Sequence, residues 1–112
     1  MRFVAAVAVL VFLGSAARAA DADDGARLYA ERCSGCHGDA GRGDGPAAAA
    51  LVPRPRNFRD PEFWHDRSLD QLRAIVRKGK PGTMMPPFDG VLTEAEIDAV
   101  TRFVQRFDPA AK

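Results

Sequence analysis

Five consecutive residues, Cys33-Ser34-Gly35-Cys36-His37, hold both cysteines of this 112-residue chain and one of its two histidines. Two thiols three positions apart, on a turn leaving a helix, can reach the two vinyl groups along one edge of a porphyrin. The histidine that follows then lies under the iron and offers an imidazole nitrogen. Gly35 removes a side chain where the backbone must pass close to the ring. One covalent haem c, held through Cys33 and Cys36 with His37 on the iron, is therefore the expected cofactor. Three other uses of these residues fit less well. A redox dithiol belongs in a strand–helix–strand setting, and no strand pattern is present. Zinc needs further Cys or His ligands, and the only other histidine is His65. A structural disulfide suits an exported protein but leaves His37 and the methionines without a role.

The iron needs a sixth ligand or a vacancy. Met84-Met85-Pro86-Pro87-Phe88 lies in a Gly/Pro-rich loop, where a methionine is poorly placed to be core. Met84 and Met85 are both candidates, and His65 or an open position are the remaining options. The chain resembles the class I cytochromes c of small bacterial type, and the likeness covers essentially all of it beyond the N-terminal leader. It rests on Leu28-Tyr29 ahead of the Cys33–His37 motif, Gly41-x-Gly43-x-Gly45-Pro46 after it, Met85-Pro86-Pro87-Phe88, and an aromatic-bearing last helix. The resemblance implies that Met85, directly before proline, is the axial ligand. It implies that the Pro46 carbonyl accepts the His37 Nδ1–H, fixing tautomer and basicity, and that Leu51 packs on the ring. It also implies that Gly25 and Tyr29 on the first helix cross Val100 and Phe103 on the last. A thioether favours ferrous iron, so His/Met ligation raises the reduction potential. It also closes the iron to substrate, which points to electron transfer and not to an enzyme.

These residues need elements to hold them, and three helices stand out. The first runs from an Asp23 or Asp24 N-cap to about Arg32, with Ala26, Tyr29, Ala30 and Cys33 on one face. The second starts at the Ser68-Leu69-Asp70-Gln71 capping box and presents Leu69, Leu72, Ile75 and Val76, with Gly79 as its stop. The third starts at a second capping box, Thr93-Glu94-Ala95-Glu96, with Leu92 and Ile97 as a hydrophobic staple. It runs to before Pro109 and buries Ile97, Val100, Phe103, Val104 and Phe107. No strand-like alternation of useful length appears, so the expected fold is all-α, a class I cytochrome c fold of three main helices with loops wrapped round one haem. Gly, Pro and Asp crowd positions 38–66, a stretch that cannot be helical throughout and needs something to pack on. Its glycine run, residues 38–45, lacks the Lys-Ser/Thr of a phosphate loop and the terminal Glu of a calcium loop. In the basic stretch Arg54-Pro55-Arg56-Asn57-Phe58-Arg59, Arg56 is a candidate partner for a haem propionate, as is Trp64 further on.

The bulk numbers bound the rest. Arg2, the apolar run Phe3 to Leu13 and the small-x-small site Ala17-Arg18-Ala19 read as an export signal, residues 1–19, cleaved ahead of a cytochrome domain over 20–112. A run that short falls well below the ~20 residues of a spanning helix. An uncleaved anchor is the alternative. Removing 1–19 takes away Arg2 and Arg18, leaving 14 basic and 15 acidic side chains, no footprint for nucleic acid. The expected function is a periplasmic, monomeric single-electron carrier with redox-protein donors and acceptors, among them a membrane-bound oxidase or dehydrogenase, and no small-molecule substrate. Docking is expected at the exposed haem edge near Cys33 and Cys36 through small, brief interfaces, with Arg73, Arg77, Lys78 and Lys80 as a basic patch for an acidic partner. Two alternatives stay open, a haem subunit of a larger oxidoreductase complex and a gas-binding or sensing haem protein.

Overall fold

The computed structural model describes residues 2–11, 14 and 21–111. The Ala17-Arg18-Ala19 site lies outside the described residues.

The first helix, α1 (Ala22–Arg32), begins earlier than its sequence suggests. Asp21 is the N-cap, its side chain accepting from the Asp24 N–H while Asp24 returns a bond to the Asp21 N–H. Asp24 is thus the far half of a capping box and not the cap itself. The buried face also differs. Gly25, Leu28 and Tyr29 are buried, whereas Ala30 is exposed. Gly25 decides this. A Cβ there would overlap the Ala99 carbonyl oxygen and come within 3.2 Å of the Phe103 Cβ, so the face carrying the glycine is the one that can approach another helix backbone closely.

That partner is α5 (Glu94–Gln105), capped by Thr93 and Glu96 as expected. Ile97 and Val100 are almost wholly buried. Tyr29 packs on Phe103 and Phe107, with ring centroids 5.1 and 5.3 Å apart. The helix stops at Gln105, two residues short of Phe107, which is nonetheless buried from the turn that follows. Thr101 is buried without cost because its hydroxyl donates back to the Ile97 carbonyl at 2.9 Å.

Helix α4 (Leu69–Lys78) has the expected Ser68–Gln71 capping box and closes at Gly79. It is tied to α5 by ions as well as by Leu72. Arg77 grips Glu94 through two bonds of 2.8 and 2.7 Å, and Arg73 bonds Asp98 while also holding Asp70 at 2.6 Å. The expected four-residue basic patch is therefore two residues. Arg73 and Arg77 are committed to carboxylates, and Lys78 and Lys80 are exposed with no ion pair among the described residues.

Hydrogen bonds from Arg102, and then Arg73, hold the Asp98 carboxyl below the usual carboxylate range. A depressed folded pKa contributes stability above the unfolded value and loses it as pH falls through the folded one. Asp98→Asn is accordingly expected to lower stability at neutral pH by about 1 kcal/mol at most, since the pair is solvent-screened. The deficit should vanish on acidification, as read from urea midpoints at neutral and strongly acidic pH.

Between the long helices lie two single turns, α2 (Ser34–His37) and α3 (Pro61–Trp64), and a 3₁₀ turn, Ala48–Ala50. No strand occurs among the described residues, only an isolated bridge between Asp89 and Leu92. The protein is all-α.

Candidate haem site

The attachment motif forms α2, packed directly onto the end of α1. The Cys33 N–H donates to the Tyr29 carbonyl, and the His37 N–H to the Cys33 carbonyl, both at 2.9 Å. A helix this short cannot satisfy its own last carbonyls. The glycine loop does so instead. The N–H groups of Gly43, Gly45 and Ala47 donate to His37, Cys36 and Gly35 at 2.8, 3.0 and 2.9 Å. Gly41 has φ of 76°, and a Cβ on it would lie 2.6 Å from the Phe107 ring. The loop therefore folds back to brace the motif and seat it against the α1–α5 crossing. Tyr29 completes the brace, its hydroxyl donating to the Gly38 carbonyl at 2.6 Å.

Cys33 and Cys36 are partly buried and not joined to each other. Burial, with the neighbouring Cys36, pushes the Cys33 thiol up to about 11. Among the described residues no group of three His, Cys, Asp or Glu could hold a metal ion, so zinc has no donor set. The absence of strands there likewise takes away the setting of a redox dithiol.

The His37 ring is held on two sides. It stacks on Phe58, centroids 4.5 Å apart and planes 18° from parallel, and its Nδ1 lies 3.2 Å from the Arg56 carbonyl oxygen. This corrects the expected bond to the Pro46 carbonyl. Pro46 is exposed in the turn after the glycine loop, while the segment around Arg56 is brought alongside by the Phe58 N–H bond to Gly41 (2.7 Å). Burial lowers the His37 pKa, partly offset by the Arg56 carbonyl, which favours the neutral imidazole that a metal ligand requires. With Nδ1–H donating, Nε2 keeps its lone pair.

The methionine loop is anchored on the end of α4 by Phe88 and Asp89, whose N–H groups donate to Val76 and Arg77 at 3.0 and 3.1 Å. Met84 is 70% exposed, while Met85 is half-buried with its N–H 3.2 Å from the Thr83 hydroxyl. His65 is exposed and pairs with Asp66 at 3.4 Å. Leu51 is half-buried just after the 3₁₀ turn.

Of the two propionate candidates, Trp64 is already engaged. Its indole N–H donates to the Phe58 carbonyl at 2.7 Å, which locks the Phe58 segment and leaves no donor for a carboxylate. Arg56 is exposed, with its guanidinium 5.3 Å from the Phe63 ring centre. Sequence reasoning missed three residues that matter here. Phe58, the lone apolar residue of a basic stretch, is the stacking partner of His37. Phe63 links it to Trp64 in one aromatic cluster. Arg67, one residue before the Ser68 cap, lies 4.1 Å over Phe63, and its Nη1 is buried with no hydrogen-bond partner. A buried cationic donor without an acceptor is costly, and a porphyrin bearing carboxylates would supply one. The residues present fit a haem.

Comparison with known proteins decides the family. The profile described as cytochrome c oxidase, cbb3-type, subunit III matches residues 20–104. Cytochrome c6 of Thermosynechococcus vestitus is 33% identical over 107 residues, which are 96% of this chain and 87% of that protein. The chain belongs to the class I c-type cytochromes. It therefore carries covalent haem c, for which Cys33 and Cys36 are the two cysteines available, and it is a haem-c electron carrier. Among solved structures, the c-type cytochrome KustC0563 superposes with a TM-score of 0.64 at 31% identity, covering 76% of this cytochrome and 98% of that one. The dihydro-heme d1 dehydrogenase of Pseudomonas aeruginosa is 33% identical over 105 residues, 92% of this chain, yet this cytochrome spans only 19% of that protein's length. No described helix is long and apolar enough to cross a membrane.

Proposed function

We propose that this cytochrome is an exported, periplasmic carrier of single electrons with His37 and Met85 as axial ligands. The observation that carries the ligand assignment is the contrast within one loop, Met85 half-buried beside Met84 at 70% exposure. A haem attached through Cys33 and Cys36 would supply the one-electron redox chemistry. His37 is oriented for ligation by the Arg56 carbonyl and the Phe58 ring. Met85 would offer a soft sulfur that favours the ferrous state, and ligation by both side chains would leave no position for a substrate. The Phe3–Leu13 run and the cleavage motif support export to the compartment where haem is attached.

Met85→Ala should abolish the weak far-red sulfur-to-iron band of the ferric protein and let carbon monoxide bind the reduced form readily. Met84→Ala should keep the band. The reverse pattern would reassign the ligand. Ready carbon monoxide binding by the unmodified protein at neutral pH would favour a gas-binding role instead.

One finding favours a second reading, a haem unit working within a larger oxidoreductase. The similarity to the Pseudomonas dehydrogenase falls in one short part of that protein. Size-exclusion of a native extract separates the two, since a free carrier elutes alone.

A further inference from the structure

Among the described residues, Arg67 carries the one buried side-chain nitrogen that no hydrogen bond answers. It follows a tight reversal in which Asp66 takes φ of 58°, a left-handed conformation that Asp tolerates better than most residues. That turn lays the guanidinium 4.1 Å over the Phe63 ring, where Nη1 is buried and unpartnered. Arg56 lies over the same ring at 5.3 Å. Two cations at one aromatic ring repel each other, and an anion between them would remove both the repulsion and the unmet donor.

Among the described residues no carboxylate pairs with either arginine. Asp66 turns out to solvent beside His65, Asp70 is bonded to Arg73, and Asp60 accepts the Glu62 N–H at the start of α3. Glu62 itself is exposed. Of the other arginines in the stretch, Arg59 is turned away, donating to the Ala40 carbonyl and lying over Phe107. Trp64 has spent its N–H on Phe58.

We propose that Arg67, with Arg56 beside it, is the carboxylate site of this cytochrome and takes a haem propionate over the Phe63 ring. The inference rests on the haem reading above. Arg67 acts as a positioning residue: its fork holds one propionate ionised and lets its charge offset the added positive charge of ferric iron less than a free propionate would. Because Arg56 also supplies the carbonyl to His37, one short segment then touches both the axial ligand and the propionate.

The test compares holoprotein with Arg67→Gln and Arg67→Lys, all carrying His65→Gln to remove the neighbouring imidazole. The reduction potential is followed against pH. The parent should show a nearly flat profile between about pH 5 and 8, because a paired carboxylate titrates below that window. Arg67→Gln should have a lower potential, with a propionate inflection raised by about 1–3 pH units, and Arg67→Lys should recover part of the shift. A flat profile and unchanged potential in Arg67→Gln would overturn the proposal. If Arg67→Gln yields no holoprotein, an inflection within the window in the parent overturns it and a flat profile supports it. A potential that responds to added phosphate at constant ionic strength, and loses that response in Arg67→Gln, would assign the site to a free anion and also overturn it. Failure to attach haem in the parent, seen as no haemochrome after denaturation, would instead sink the haem reading itself.

Discussion

Gly25→Val is expected to cost at least about 3 kcal/mol of stability and to leave little holoprotein. Helix propensity alone predicts the opposite sign, because glycine in a helix interior is ~1 kcal/mol worse than alanine. The crossing reverses this. The α1 backbone at Gly25 rests against the Ala99 carbonyl oxygen of α5, with Phe103 alongside. A side chain there must push apart the two helices that bury Ile97 and Val100. The clash is with backbone, which cannot move aside as a side-chain tip can. Denaturant unfolding of the holoprotein should show a lower midpoint. A variant as stable as the parent would mean that the helices do not cross at this closeness.

Tyr29→Leu is expected to lose about 3–4 kcal/mol, and Tyr29→Phe only ~1 kcal/mol of that. The phenol donates at 2.6 Å to the Gly38 carbonyl, which also receives the Gly41 N–H, so removing the hydroxyl leaves that oxygen with one partner and not none. Removing the ring also deletes the contacts to Phe103 and Phe107 at the centre of the crossing. Burial, with Cys33, Asp39 and Asp44 nearby, raises the phenol pKa well above its ordinary 10.0. A raised folded pKa means that the contribution is complete below pH 10 and is lost as pH climbs toward the folded value. Stability of the parent should therefore fall more steeply with pH above 10 than that of Tyr29→Phe, as measured by urea midpoints across that range. Equal slopes would place the hydroxyl in water. Because Gly38 closes the motif helix, Tyr29→Leu should also broaden the haem absorption bands.

Much of this was legible from residue order. Cys33, Cys36 and His37 announce covalent haem because that spacing suits one edge of a porphyrin. Ser68–Gln71 and Thr93–Glu96 mark two helix starts because a capping box satisfies backbone donors within four residues. Such signals are local, so the chain carries them complete. The missed start of α1 was local too: Asp21 and Asp24 form the same box, but three nearby aspartates made the cap ambiguous.

Tertiary structure decided what depends on residues far apart in the chain. Whether the carbonyl on His37 comes from Pro46 or Arg56 turns on how the glycine loop and the Phe58 segment pair, which no spacing states. Trp64 has the makings of a propionate donor, but the fold commits its N–H to Phe58, and the Asp66 turn lays Arg67 over Phe63, a placement that residue order does not state. Arg73 and Arg77 looked like a docking patch because their partners, Asp98 and Glu94, lie on another helix. Sequence by itself determined the haem-attachment motif and two of the three long-helix starts, and it carried the family resemblance. The fold alone determined which polar groups are already paired, and so which remain to meet the haem, because pairing is settled by proximity in space.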